Sequence, residues 1–426
     1  MTNLVWPTLA LLGACHVAAP TATAPIVPAT ASAACSAPRS TDGFALLERS
    51  GPIQFVSSPA DEPAATQMFT AYASGTKGLE RRTPETADRS ANLIIFGTYE
   101  TNALIAALAS GPVPFERGKF RFGGHVYDQR EDGVAVVMPS PFARDRYVVV
   151  YAGNAAPGLE MTLSVPTGDH HFTVVSSPIG VAQEGEFCTD GTWSYYAPYA
   201  VDRRADWEAY RATLAHRDTP HHVIYYARGT KAEHDIDAIA KELEDDYAVI
   251  LEKLAVASLD RPIDTYLWSD RKAKQRFTGD PGNGVAIGNS VHALYLDNLS
   301  ALGAHEYVHV VASARLGDAP TVWAEGLAVA ITGDWNGKSL HEIASGLAAA
   351  GKLPRLAQLM CCFRDVDDNI TYPVAGDLVA FVIQRYGMAK FKQLYIGADP
   401  AAAIQSVLGS DVAALETDWL ASLERQ

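Results

Sequence analysis

The sequence predicts a mixed chain of α/β and α+β class. A small α/β accessory module spans residues 41–205, and a domain with a mixed sheet and a mostly helical C-terminal half spans 218–426. Three observations predict it. The chain has 426 residues, more than one ordinary domain uses, and 48% of them are hydrophobic against 19% charged, enough apolar surface for sizeable cores. Between about 50 and 155, short β-branched and aromatic runs alternate with segments of helical spacing, the pattern of a layered sheet with parallel pairing. From 218 onward a strand, a long helix and two more strands give way to one helical pattern after another.

The first residues, "MTNLVWPTLALLGACHVAAP", hold an apolar run that stops near Cys15. That is the length of a secretory h-region and too short to span a bilayer, so 1–15 reads as an export signal. Leu12, Gly13, Ala14 and Cys15 are similar to a bacterial lipobox, which implies a lipid anchor at Cys15 and a cell-envelope location. Cleavage within the later "TASAAC" instead releases a secreted protein. Residues 16–40, rich in Ala, Pro and Thr, bury little and suit an extended tether. The net charge of -15 argues against nucleic acid as a partner and leaves membrane contact to the anchor alone.

The module begins with strand "GPIQFVSS", helix "EPAATQMFTAYASG", strand "ANLIIFGT" and helix "ETNALIAALAS". Strands "KFRFGGHVYD", "GVAVVMPSP" and "RYVVVYAGN" follow. A strand running into a glycine turn and helix at "LIIFGTYETNALI" is where α/β folds place ligands, yet neither G-x-G-x-x-G nor G-K-[ST] is present, so no nucleotide site is expected. The doublets His170–His171 and His221–His222 sit in strands, where neighbours face opposite ways, and read as structural or surface residues. The boundary falls near 205–217, in a stretch mixing aromatic and charged residues. If Cys15 is lipidated, Cys35, Cys188, Cys361 and Cys362 remain. A bond within the adjacent doublet closes a strained ring, so Cys188 with Cys35 or with one of the doublet is the easier pairing.

After the boundary, "HHVIYYARG" reads as a strand. A long helix follows, with Ile236, Ile239, Leu243, Tyr247, Ile250 and Leu254 at three- and four-residue steps. Strands "PIDTYLWSD" and "HALYLDN" come next, joined by a Gly-rich loop. Asp297, Asn298 and Ser300 supply a helix start, and 299–315 reads as a helix with Ala301, Ala304, Val308 and Val311 on its buried stripe.

On a neighbouring stripe of that helix, His305 and His309 stand one turn apart, the geometry of two imidazoles reaching one ion, and Glu306 sits beside them. The pattern alone arises by chance in about one of fifty such chains, so a third ligand is needed. Sixteen residues after His309, "TVWAEGLAVAIT" supplies Glu325 in an apolar helix, after the reversing loop "LGDAP". A glutamate buried among Trp323, Leu327 and Val329 is costly without a partner, and a bound cation provides one.

H-E-x-x-H followed by a W-x-E-G-L-A-like helix resembles the gluzincin metallopeptidases, the thermolysin and aminopeptidase N clan, and in particular bacterial peptidase MA-like proteins. The resemblance covers most of 218–426, and a weaker one links 50–155 to an accessory module of some secreted hydrolases. It implies a thermolysin-like domain with one zinc ion on His305, His309 and Glu325, and Glu306 as general base toward a metal-activated water. It implies strand 292–297 as the edge that pairs with a peptide substrate. Tyr372 in "ITYPVAGD" is the candidate oxyanion donor, since Pro373 can start a helix there and aim the phenol into the cleft; His341 is the weaker candidate. The third ligand departs slightly from the pattern, with Trp323 two residues before it and Val329 where relatives carry a histidine-orienting Asp. The expected function is therefore an exported zinc metallopeptidase acting on peptides or proteins. The alternative is a non-catalytic cell-envelope binding or scaffolding protein with a structural metal site.

Overall fold

Strand β3 (Asn92–Thr98) is buried at every position, as a strand covered on both faces must be. It lies inside an eight-stranded mixed sheet of order β11-β10-β9-β7-β8-β3-β1-β2. β1 (Ile53–Ser57), β2 (Glu80–Arg82) and β8 (Tyr147–Gly153) run parallel to it, while β7 (Gly133–Pro139), β9 (Phe172–Ser176), β10 (Gly180–Cys188) and β11 (Ser194–Asp202) pair antiparallel. Helix α1 (Ala64–Ala73) packs Met68 and Tyr72 against Phe55, Phe96 and Tyr151 on one face. This computed structural model describes residues 51–424, apart from 63, 74–75, 110–111, 165–169, 189–193, 318 and 398. The expected signal, the tether, Cys15 and Cys35 lie outside the described residues.

Two expectations for the module change. "KFRFGGHVYD" is a hairpin, not one strand: β5 (Lys119–Phe122) and β6 (His125–Tyr127) join β4 (Phe115–Glu116) in a small separate sheet. Gly123 and Gly124 have φ of 55° and 86°, which a two-residue hairpin turn requires and which glycine supplies without strain. Residues 180–188 and 194–202, where the sequence predicts no strand, form β10 and β11, which extend the main sheet.

The second sheet has the order β12-β13-β14-β16-β15: β12 (Ala215–Asp218), β13 (His222–Tyr226), β14 (Ile263–Trp268), β15 (Gly284–Ile287) and β16 (Ser290–Leu296). β13, β14 and β16 are parallel, and β12 and β15 close the two sides antiparallel. The Gly-rich loop is therefore not a loop. It holds helix α3 (Arg271–Thr278), whose "RKAKQRFT" buries only Phe277 and Lys274, the latter paired with Asp280, and so has no apolar stripe to read, and then β15. Because β15 covers β16, residues 292–297 are not an edge; β17 (Leu299–Ser300) pairs with the same strand's far end. Between α2 (Arg204–Arg211) and α3, the long helix breaks at Asp235 into Lys231–His234 and Ile236–Leu254, and buries the expected Ile239, Leu243, Tyr247, Ile250 and Leu254, each worth about 1.5–3 kcal/mol of apolar transfer.

The helical half contributes α4 (Ala304–Leu316), α5 (Thr321–Thr332), α6 (Leu340–Ala349) and α7 (Asp368–Tyr386). α4 begins later than expected because Leu299–Ser300 is spent on β17 and the chain then turns at Gly303, φ 149°. Pro373 lies inside α7 rather than at its start. α5 and α7 cross at two glycines: a Cβ on Gly326 would stand 2.7 Å from the Ala375 carbonyl oxygen, and one on Gly376 2.6 Å from Val329 Cγ1. Cys361 and Cys362 are bonded to each other after all, their Cα atoms at the 3.8 Å trans spacing, and Cys188 is also disulfide-bonded.

Candidate metal centre

Helix α4 carries both histidines because its other face is fully committed to the core through Tyr307, Val308, Val310, Val311 and Ala312. His305, Glu306 and His309 are left half-buried on the opposite side. α5 is buried nearly all round, at Val322, Trp323, Gly326, Leu327, Ala328, Val329 and Ile331. Its close crossing with α7 fixes where Glu325 points.

The three side chains converge. His305 Nε2 lies 3.2 Å from His309 Nε2, and Glu325 Oε2 lies 3.3 Å from the first and 3.2 Å from the second. Ligands at about 2.0–2.1 Å around a tetrahedral ion stand roughly 3.3–3.4 Å apart, so this triangle has the edge length of a tetrahedral site. An Nε2–H on either imidazole can hydrogen-bond the carboxylate, and with both nitrogens presenting lone pairs the same triangle suits a cation. Burial by itself pushes the Glu325 carboxyl up, but hydrogen bonding with His305 and His309 outweighs it and holds the group well below the usual carboxylate range. The group can hold a metal ion, and among the described residues no fourth His, Cys, Asp or Glu joins it. Three donors leave a coordination position open.

Glu306 is half-buried on the next stripe and reaches the sheet. A Cβ on Gly284, the first residue of β15, would stand 3.0 Å from Glu306 Oε1 and 3.2 Å from its Cγ. A larger side chain at this position would press on the carboxylate, and glycine lets it lie close against the strand. Tyr372 on α7 is brought to the centre: its ring is 6.1 Å from that of His305, stacks on Trp335 at 5.2 Å and meets Phe363 edge-on at 5.4 Å. Helix position, not a proline start, aims it. Trp335 sits in the hairpin of β18 (Asp334–Trp335) and β19 (Lys338–Ser339), turned by Asn336 and Gly337 with φ of 54° and 74°. The Asn-Gly pair in "DWNGKS" is a hairpin signal that marks this aromatic wall in the sequence.

His341 has no part in the cluster. Its Nδ1 meets buried Asp377 at 3.1 Å, and Trp419 Nε1 donates to the other carboxylate oxygen at 2.7 Å. His292 is fully buried, donating from Nε2 to the Pro178 carbonyl at 2.6 Å and accepting at Nδ1 from Trp268 Nε1 at 3.1 Å. Burial holds its pKa down to about 3, so it stays neutral. His222 is likewise buried, down to about 4, while His221 pairs with Glu244 at the surface. The doublets do alternate inward and outward, as does His170 against His171. A cavity of about 620 Å³ between module and second sheet, lined by Arg204, Trp207, Arg211 and Tyr225, touches none of the triad. No protein-family model matches the chain, and no curated protein matches it.

Proposed function

We propose that the chain is a zinc-dependent metallopeptidase of the gluzincin, peptidase MA-like type, with a thermolysin-like domain built on the second sheet and the helices after it. The observation that carries the reading is the triangle of His305, His309 and Glu325 at tetrahedral spacing, with Glu306 lying against Gly284 of β15, the terminal strand of the second sheet among the described residues. Zinc suits two imidazoles and one carboxylate, and when bound it supplies Lewis acidity that brings water toward neutral pKa.

The protein's own residues do the rest. Glu306 takes a proton from the attacking water and returns it to the leaving amine, its carboxylate being adjacent to the ligand histidine and half-buried. Tyr372, held by the stack on Trp335, donates its hydroxyl to the developing oxyanion. The peptide pairs with β15, the edge strand, in place of the 292–297 segment, which has neighbours on both sides. The scaffolding alternative needs a fourth protein ligand to close the site, and no specific observation favours it.

The test is metal-dependent cleavage of peptides by the full chain, measured beside a Glu306→Gln variant. Loss of turnover with zinc still bound supports the reading. Unchanged turnover in that variant sinks it.

A further inference from the structure

Helix α2, between the module and the second sheet, sets Arg204, Trp207, Glu208 and Arg211 on one stripe, since steps of three and four return to the same face. The stripe lines the cavity of about 620 Å³, and a second cavity of about 330 Å³ adjoins it, sharing Gln129, Ser177, Pro178, Arg204 and Arg211 with the first. To these the second adds Glu131, Arg261 and Asp264. Three guanidiniums and three carboxylates therefore line one crevice, so its net charge favours neither an anion nor a cation. Its size suits a small molecule.

Four of the six charges are already matched. Arg204 Nε meets Glu208 at 3.2 Å, with its guanidinium over the Tyr127 ring at 4.9 Å, and Arg261 pairs with Glu131. Arg211 and Asp264 remain. Among the described residues, neither has an oppositely charged group within 4.0 Å. Arg211 donates to Tyr225 Oη at 2.5 Å and lies over that ring at 4.8 Å, so an uncharged phenol fixes the plane of the guanidinium and takes one of its five N–H donors. The same hydroxyl faces Asp264. Burial pushes the Asp264 carboxyl up, against the pull of Arg211 and Arg261 at longer range, and a carboxylate in that position gains from a cation placed beside it. Both groups are within reach of solvent, Arg211 exposed and Asp264 half-buried.

We propose that this crevice binds a small zwitterion, its carboxylate on the fork of Arg211 and its ammonium on Asp264, with Tyr225 between them. An α-amino acid carries both charges on one carbon, and Ile179, Trp207 and Leu214 offer an apolar wall to its side chain. A ligand with one charge leaves either Arg211 or Asp264 without a partner and still displaces its water. The crevice touches neither the histidines nor Glu325, so the site does not depend on the peptidase reading.

Calorimetric titration of the full chain with three probes tests this: L-leucine, leucine amide, which lacks the carboxylate, and N-acetyl-leucine, which lacks the ammonium. Leucine is expected to bind at least about tenfold more tightly than either analogue, because each analogue loses a hydrogen bond between charged groups. Arg211→Gln should bind leucine and leucine amide alike, and Asp264→Asn should bind leucine and N-acetyl-leucine alike, a crossed pattern that misfolding does not produce. Equal affinity of the unaltered chain for all three probes overturns the proposal whatever the variants do. So does the absence of heat with leucine at about 10 mM. Leucine binding undiminished in Arg211→Gln places the ligand elsewhere, the metal centre included, and also overturns it.

Discussion

Gly326 stands immediately after Glu325, the third candidate ligand, and at the close crossing of α5 and α7, so Gly326→Ala probes the centre through packing alone. The new Cβ would sit 2.7 Å from both Ala375 O and Val379 Cγ2, against 3.4 Å or more for an ordinary contact. Both neighbours are part of a buried helix, one of them backbone, so the helices must part by about 0.7 Å at that level. Overpacking of this kind costs about 1–3 kcal/mol, offset by the ~1 kcal/mol gained when a helical glycine becomes alanine. Net stability should fall by about 0–2 kcal/mol. Metal affinity should suffer more, because ligand positions tolerate only about 0.2 Å. A shift three times larger at the residue next to Glu325 is expected to weaken zinc binding at least about tenfold, or ~1.4 kcal/mol. Urea unfolding of the metal-free chain and competition of zinc against a chelating dye read the two effects separately. Gly346→Ala is the control: it lies in helix α6 with nothing within 4 Å of its new Cβ, and should gain stability and leave zinc affinity unchanged. A Gly326→Ala protein that binds zinc as tightly as the parent would refute the claim that this crossing sets the ligand.

Three other outcomes follow from the geometry. Stability should fall on acidification from pH 7.5 to 5: His222 and His292 are neutral in the fold, with pKa lowered from 6.5 to about 4 and about 3, so the unfolded chain binds more protons and each costs about 2 kcal/mol at pH 5. Buried Asp132, pushed up to about 6 by burial, acts in the opposite direction by roughly 1.4 kcal/mol, leaving a net loss of about 2–3 kcal/mol; a urea midpoint that holds or rises at pH 5 contradicts this. Tyr372→Phe should lower kcat about 10²–10³-fold with KM and zinc content little changed, and loss of zinc instead would show a ligand-supporting role. Gly284→Val should press on Glu306 and cut kcat/KM at least about tenfold while zinc remains bound; full activity would remove the strand from the site.

The parts of this architecture that were legible in the sequence are those with strong periodicity or obligatory burial. Long helices such as Ile236–Leu254 announced themselves through apolar steps of three and four, and β3 through an unbroken apolar run. The candidate triad is legible because a lone carboxylate in "VWAEGLAV" has no apolar reason to be there, and the structure does bring Glu325 to His305 and His309. β15 is not, because four residues after two glycines carry too little pattern, and without it β16 reads as an edge. α3 is not legible because its buried positions are a phenylalanine and a lysine paired with Asp280. Trp335 and Phe363 are not legible as neighbours of Tyr372 because that wall is assembled from separate elements. The cysteine doublet ran against a steric argument about adjacent residues, which weighs ring closure and says nothing of what else is within reach of each sulfur.

The most direct measurement is metal content per chain, by elemental analysis after purification with zinc present and removal of free ion. One zinc per chain is expected in the parent and in Glu306→Gln, and essentially none in His309→Ala or Glu325→Ala. A parent without metal, or a His309→Ala protein with its full complement, contradicts a centre built on His305, His309 and Glu325.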